Sequence, residues 1–270
     1  MFWHIFKTYR KEEVIIYVNT LLPFGAALVG KLLGKKVIYH IHETSIKPLL
    51  FKQFLKFIAG ITAQEIIYVS KYLMQTEKIN WTNGKVIYNT LSEEFVQKAA
   101  QFRSIQTEKN YPFTILMLCS LKKYKGVDEF VELAKSLPNY RFELVLNAES
   151  EAINAYFNLP DLPKNLIIFP KQSDVHWFYQ RAHLVLNLSD PEQWVETFGM
   201  TLLEAMTYGI PVIAPPVGGP AEIVQHGTNG FNISLRNLSK IVDSIKIIAQ
   251  DAIFYQELSR NALTAAQTFR

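Results

Sequence analysis

Hydrophobic residues fall into short β-rich runs that alternate with stretches of helical spacing, the pattern of parallel sheets wrapped by helices. Over the first third, strands are predicted at Val14 to Val18, Lys36 to His40, Glu65 to Val69 and Lys85 to Tyr88, with helices near residues 24–33, 49–60 and 71–79. Each run is rich in Val, Ile and Tyr, which predicts burial on both faces. From Leu91 to Tyr111 the pattern lapses; after a short helical piece Ser, Glu, Gln, Lys and Asn dominate, so a domain junction is predicted there. A second series then runs through Phe113 to Leu118, Phe142 to Leu146, Leu166 to Phe169, Leu184 to Leu188, Pro211 to Ala214 and Gly230 to Ile233. Val127, Phe130, Val131 and Ala134 take the i, i+3, i+4, i+7 spacing of a helix between the first two of these runs. The expected organisation is two successive α/β domains, residues 1–95 and 112–250, joined by a linker at 96–111. Residues 251–270 are expected to form an incomplete C-terminal helix, which ends without a visible cap.

Composition narrows the class. With 49% apolar and 19% charged residues among 270, the chain has the material for real cores and none of the signature of disorder. The single cysteine, Cys119, excludes an internal disulfide and points to a reducing compartment. It follows the apolar run Ile115 to Leu118, which favours a buried structural thiol over a nucleophile. The longest uncharged stretch, Val14 to Gly30, is interrupted by Asn19, Thr20, Pro23 and Gly25 and predicts a strand, a turn and a helix rather than a membrane span. The apolar run in Met1 to Lys11 is too short for a signal peptide. A net charge of +4 does not point to nucleic acid. The basic excess sits in residues 1–95, with 12 Lys or Arg against 7 Asp or Glu.

Residues 191–231 read PEQWVETFGMTLLEAMTYGIPVIAPPVGGPAEIVQHGTNGF. After a strand ending at Leu188, Glu196 precedes a helix opened by Phe198 and Gly199, whose buried stripe is Leu202, Ala205, Met206 and Gly209. Glu204 falls on the other side. A helix start preceded by Gly presents free N–H groups and a positive dipole end, here from Gly199 through Met200 and Thr201 to Leu202, suited to a phosphate. A carboxylate two turns in can accept hydroxyl donors from a ribose. Taken alone, Glu204 reads as an ordinary solvated helix residue.

The spacing of Glu196 and Glu204, followed by Ala205, Met206, Gly209, Pro211, Gly218, Gly219, Glu222, Gly227 and Gly230, resembles the family-four retaining glycosyltransferases. That resemblance implies a GT-B fold, two Rossmann-like parallel-sheet domains facing a cleft, with the nucleotide-sugar in the C-terminal domain. It implies that Glu196 meets the transferred sugar, that Glu204 holds the ribose, and that the helix start meets the phosphates. Upstream, LCSLKKYKG (Leu118 to Gly126) is similar to the family's diphosphate clamp: Lys125 matches its lysine, while Ser120 stands where the family has arginine. Lys122 or Lys123 are candidates to compensate, and a solvated basic loop is the alternative for all three lysines. His42 with Glu43 resembles the family's His-Asp pair and is expected to contact donor sugar or acceptor; His40 is expected to be structural. Ser70 and Asn89 match further family strand ends without an assigned role.

The resemblance further implies same-face attack in which the leaving phosphate takes the acceptor's proton, so no protein base is obligatory. Without an Asp-x-Asp motif or a His and Cys cluster, neither a metal nor another cofactor is expected. The run at Val14 looks like a middle strand of the family's first domain, so that domain is expected to be truncated. A fragment, a form completed by a partner or a second copy of itself, and a non-catalytic binder are the three explanations. The segment Ile46 to Thr62, with Phe51, Phe54, Leu55 and Ile58 at helical spacing near Lys47, Lys52 and Lys56, suits an anionic membrane surface or a core helix with a wet lysine edge. The expected function is transfer of a sugar from a nucleotide-sugar to a glycan or polyprenyl-linked acceptor in bacterial surface polysaccharide synthesis. The expected location is cytoplasmic, at the inner membrane face. The alternatives are a nucleotide-sugar-binding scaffold and a GT-B epimerase.

Overall fold

The computed structural model describes residues 7, 11–79, 82–105, 112–157 and 159–269. The chain divides into two units, Met1–Asn89 and Thr90–Arg270.

The first unit is a parallel sheet of β1 (Ile15–Asn19), β2 (Lys36–Ile41), β3 (Glu65–Tyr68) and β4 (Asn83–Val86), ordered as in the chain. Helices α1 (Phe24–Leu32), α2 (Leu49–Thr62) and α3 (Lys71–Thr76) connect them. Val37, Tyr39, Ile41, Ile66 and Tyr68 on the two central strands are buried. Contrary to the expectation of burial on both faces, β1 is an edge strand and exposes Ile15 and Tyr17. β4 forms two residues earlier than its β-branched run suggests. Its parallel register sets Gly84 opposite Ile66, and a Cβ at Gly84 would come within 2.9 Å of the Tyr68 ring. The poor strand former is retained because the large ring needs that space.

Helix α2 corrects the lysine reading. Leu55, Ile58 and Ala59 face the core. Lys52 Nζ reaches back to the buried Glu77 carboxylate at 2.5 Å and to the Thr44 carbonyl at 2.7 Å, with Lys56 Nζ 3.4 Å from the other Glu77 oxygen. The lysines expected on a wet edge are folded inward, where pairing offsets the cost of burying Glu77.

The second unit holds a six-stranded parallel sheet in the order β10-β9-β8-β5-β6-β7. Its strands are β5 (Thr114–Cys119), β6 (Arg141–Leu146), β7 (Leu166–Phe169), β8 (Leu184–Leu186), β9 (Val212–Ala214) and β10 (Gly230–Asn232). Within this unit that is the Rossmann order 3-2-1-4-5-6, whose direction reverses between β5 and β8. Ligands of such sheets bind outside the carboxyl ends of the strands at the reversal.

Helix α4 (Glu93–Ile105) corrects the expected boundaries. Residues 93–95, assigned to the end of the first domain, and 96–105, assigned to a linker, are helical and belong to the second unit, while 106–111 lie outside the described residues. Phe95 lies on the His176 ring at 4.4 Å, and Arg103 donates to the Thr207 carbonyl at 2.5 Å. The remaining helices are α5 (Val127–Ser136), α6 (Ser150–Tyr156), α7 (His176–Arg181), α8 (Met200–Thr207), α9 (Pro220–Ile223), α10 (Leu238–Gln250) and α11 (Ala252–Gln267). Among the described residues no helix is long and apolar enough to cross a membrane.

Candidate functional site

The loops leaving β5 and β8 meet at the reversal point, and glycine geometry explains how. After β5 the chain makes a tight turn over Lys123–Lys125 and enters α5 through Gly126 at φ +75°. A Cβ there would lie 2.4 Å from the Leu188 carbonyl oxygen, so only glycine lets this turn sit against the exit of β8. Two further contacts fix the approach: the Asp190 N–H donates to the Tyr124 carbonyl at 2.8 Å, and the Tyr124 and Trp194 rings stack at 5.6 Å.

That arrangement brings Lys125 to Glu196. Lys125 Nζ lies 2.5 Å from Glu196 Oε2 and 3.4 Å from the hydroxyl of buried Ser189. An ammonium still carries a further N–H for an incoming oxygen. Glu196 is itself held from behind. The Gly219 N–H donates to its carbonyl at 2.9 Å, and a Cβ at Gly218 or Gly219 would fall within 2.3 Å of the backbone at Glu196 or Phe198.

The same loop runs through buried Phe198 into Gly199, at φ +108°, which opens α8 without a side-chain cap. Leu202, Leu203, Ala205 and Met206 are buried, leaving Met200, Thr201 and Glu204 as the half-exposed face. Glu204 is not a solvated helix residue: Tyr179 donates its hydroxyl proton to Oε2 at 2.5 Å, within the range of a charge-assisted bond. Tyr179 stacks on Tyr208 at 5.6 Å, whose hydroxyl bonds the His176 ring, and Phe95 of α4 closes the stack. Burial raises the Glu204 carboxyl above its ordinary range, and the Tyr179 bond opposes that rise.

Among the other expected residues, Ser120 directly follows β5 and its carbonyl accepts the Lys122 N–H at 2.8 Å. Lys122 and Lys123 are exposed. Burial pushes the Cys119 thiol up to about 12, which leaves no useful thiolate at neutral pH. His42 belongs to the first unit, just beyond β2, with its ring 4.0 Å from that of His40 and its Nε2 buried without a hydrogen-bond partner. Burial lowers both rings' pKa, that of His40 to about 4. Glu43 beside them accepts from the N–H of Leu21 at 2.9 Å and from the Thr20 hydroxyl; Thr20 itself sits at φ +78°. Sequence reasoning missed Tyr124, Trp194, Ser189 and Tyr179. None lies in a recognisable spacing, although an aromatic two residues before Glu196 was visible.

A cavity of about 440 Å³ between β10 and α10, lined by His226, Asn232 and Lys240 among others, shares no residue with this arrangement. A smaller one of about 260 Å³ at Phe95, Lys98 and Asp174 touches only the Phe95 and His176 rings at the back of the Glu204 stack. Among the described residues no three His, Cys, Asp or Glu side chains come together as metal ligands.

Comparison with known proteins agrees with this architecture. The chain is 24% identical over 265 residues to an uncharacterized glycosyltransferase of Haemophilus influenzae, covering 94% of this chain and 71% of that protein. It is 25% identical to the N-acetyl-alpha-D-glucosaminyl L-malate synthase of Bacillus anthracis, covering 93% and 68%. Anabaena HepE, crystallised in complex with UDP, superposes with a TM-score of 0.84 at 20% identity, over 99% of this chain and 77% of that one. The sucrose-phosphate synthase of Thermosynechococcus elongatus gives 0.76 at 17% identity, over 99% and 73%. These likenesses show the GT-B fold. The model described as glycosyl transferases group 1 matches residues 98–264, more than half of the sequence; the chain belongs to this family of sugar-transferring enzymes.

Proposed function

We propose that the chain is a retaining glycosyltransferase whose donor is a nucleoside-diphosphate sugar held entirely by the second unit. One observation carries the reading. At the reversal of the Rossmann sheet, Lys125 and Glu196 are locked together beside an uncapped helix whose half-exposed face carries Glu204. In this reading the N–H groups of Met200 and Thr201 and the Lys125 ammonium take the diphosphate, Glu204 takes the ribose hydroxyls, and Glu196 orients the sugar. HepE, of the same fold, was crystallised with UDP, which makes UDP the first probe.

Transfer then proceeds on one face of the sugar. The acceptor oxygen bonds to the anomeric carbon as the bond to the diphosphate breaks, and the acceptor proton passes to the departing phosphate oxygen. Lys125 and the α8 N-terminus stabilise the charge that develops there. No metal is assigned, so turnover is expected to survive a chelator. A glycan or lipid-linked acceptor in bacterial surface polysaccharide assembly, met at the cytoplasmic membrane face, completes the proposal, with His42 as a contact for the acceptor. Calorimetry with UDP and product analysis with UDP-sugars and a lipid-linked acceptor test it. Unaltered UDP binding in Glu204→Ala together with unaltered turnover in Glu196→Ala would overturn it. The serine at Ser120, in place of a second cation, favours a second reading, a sugar-nucleotide binder without turnover; binding without any product would select it.

A further inference from the structure

Helix α10 buries Ile241, Ile245 and Ile248 at the i, i+4, i+7 spacing of a core stripe, and Ser244 stands in that stripe where a fourth apolar side chain would pack. Ser244 is 8% exposed, and its hydroxyl makes no hydrogen bond among the described residues. A hydroxyl taken out of water without a partner is unfavourable, so its place calls for a reason. It lines the cavity of about 440 Å³ between β10 and α10.

Further groups lining this cavity are also unused. Lys240 and Asp243 are three residues apart on α10, yet they pair neither with each other nor with any other described residue. On β10, Asn232 donates its side-chain N–H to the Val224 carbonyl at 2.8 Å, while its Oδ1 is buried with no hydrogen-bond partner. The Asn232 backbone N–H donates to His226 Nδ1 at 3.1 Å, which leaves the proton of that exposed ring on Nε2. Phe231 and Ile247 add apolar lining.

This inventory selects the ligand. The Lys240 ammonium and the His226 Nε2–H suit an anionic group; the Asp243 carboxylate and Asn232 Oδ1 accept from hydroxyls, and the Ser244 hydroxyl can donate or accept. The apolar lining suits the C–H groups of a sugar ring. A purely apolar compound would leave the polar groups without partners, and a bare inorganic anion would use the two donors while facing the negative charge of Asp243. The volume falls in the ordinary range of small-molecule pockets, about 300–1,000 Å³. We propose that this cavity binds an anionic sugar, a monosaccharide or glycan unit carrying a carboxylate or phosphate, as a second carbohydrate site apart from the donor. The inference is independent of the donor reading, because the cavity shares no residue with Lys125, Glu196 or Glu204.

Titration calorimetry on the full chain tests it, with glucuronate and mannose 6-phosphate as charged probes and glucose and inorganic phosphate as controls, each with and without UDP. At least one charged sugar is expected to bind, more tightly than either control and equally well when UDP is present; which of the two binds identifies the anionic group. Lys240→Met is expected to weaken that binding about tenfold, the worth of one charge-assisted hydrogen bond. Ser244→Ile, which completes the apolar stripe and fills the cavity, is expected to abolish it. The circular dichroism melt establishes that each variant is folded, and Lys240, at an exposed position, keeps the test open should Ser244→Ile not fold. No binding of either charged sugar at millimolar concentration overturns the proposal, as does unchanged affinity in folded Lys240→Met. Inorganic phosphate or glucose binding as tightly as the charged sugars, or displacement of the sugar by UDP, also overturns it. Failure of UDP itself to bind would sink the donor reading and leave this site standing.

Discussion

Lys125 and Glu196, 71 positions apart, form an ion pair of 2.5 Å across the point where the second sheet reverses direction. Neither is free to drift. Gly126 seats the lysine's turn on Leu188, and Gly218 and Gly219 pack against the backbone that carries the glutamate. The pairing puts one cation and one anion at a helix start that is short of acceptors, a combination able to tell a phosphate end from a hydroxyl-bearing end of one ligand.

Replacing Lys125 with Met should weaken UDP binding by about tenfold to a hundredfold, the worth of one or two charge-assisted hydrogen bonds. Titration calorimetry measures it. An unchanged affinity would remove Lys125 from the diphosphate.

Gly126→Ala and Gly227→Ala separate close approach from backbone strain. Both sites have φ +75°, but a Cβ at Gly227 meets open space while one at Gly126 meets Leu188. Gly227→Ala should cost about 1 kcal/mol of stability, near the lower end for a left-handed non-glycine residue. Gly126→Ala should cost more and also weaken UDP binding, because Lys125 would be displaced. Chemical denaturation of both variants, paired with UDP titration, reads the difference.

Trp194→Ala should loosen the Lys125 turn through loss of its stack on Tyr124, and Trp194→Phe should restore most of it. An aromatic pair contributes about 0.5–1.5 kcal/mol beyond its area, so the expected loss of UDP affinity is at most about tenfold. Equal loss in both variants would mean that the indole acts in some way other than by stacking.

Glu204 predicts the pH dependence of binding. Its carboxyl titrates above its ordinary value of 4.5, so as pH falls it is neutralised earlier than a surface glutamate and loses its strength as an acceptor. UDP affinity should therefore decline on acidification with a midpoint above 4.5. Tyr179→Phe removes the bond that favours the charged form and should move that midpoint higher still.

Much of this was legible in the primary structure. The alternation of apolar runs located every described strand within about two residues, and the motif at residues 191–231 singled out Glu196, Gly199 and Glu204, which lie together around the start of one helix. What escaped depended on partners distant in the chain. Tyr179 reads as one more core aromatic until α7 sets its hydroxyl on Glu204. Residues 96–105 read as part of a linker because their helix has few apolar anchors: Phe95 and Phe102 lie on His176, and Phe95 also meets Tyr208. Lys52 and Lys56 look solvated in any window that omits Glu77.

The paired histidines make the first unit acid-sensitive. His40 and His42 are held neutral by burial, so below about 6.5 the unfolded chain binds protons that the folded unit refuses. Stability of this unit should fall as pH drops from about 6.5 toward 4, and hydrogen exchange at Tyr39 and Ile41 should report it. A pH-independent exchange rate, after correction for intrinsic chemistry, would contradict the burial argument.

The central claim is most directly tested by a crystal structure of this chain with UDP. The account predicts ribose hydroxyls on the Glu204 carboxylate, and the diphosphate between the Met200 and Thr201 N–H groups and Lys125 Nζ. UDP bound elsewhere, or bound here without touching Glu204 or Lys125, would contradict it.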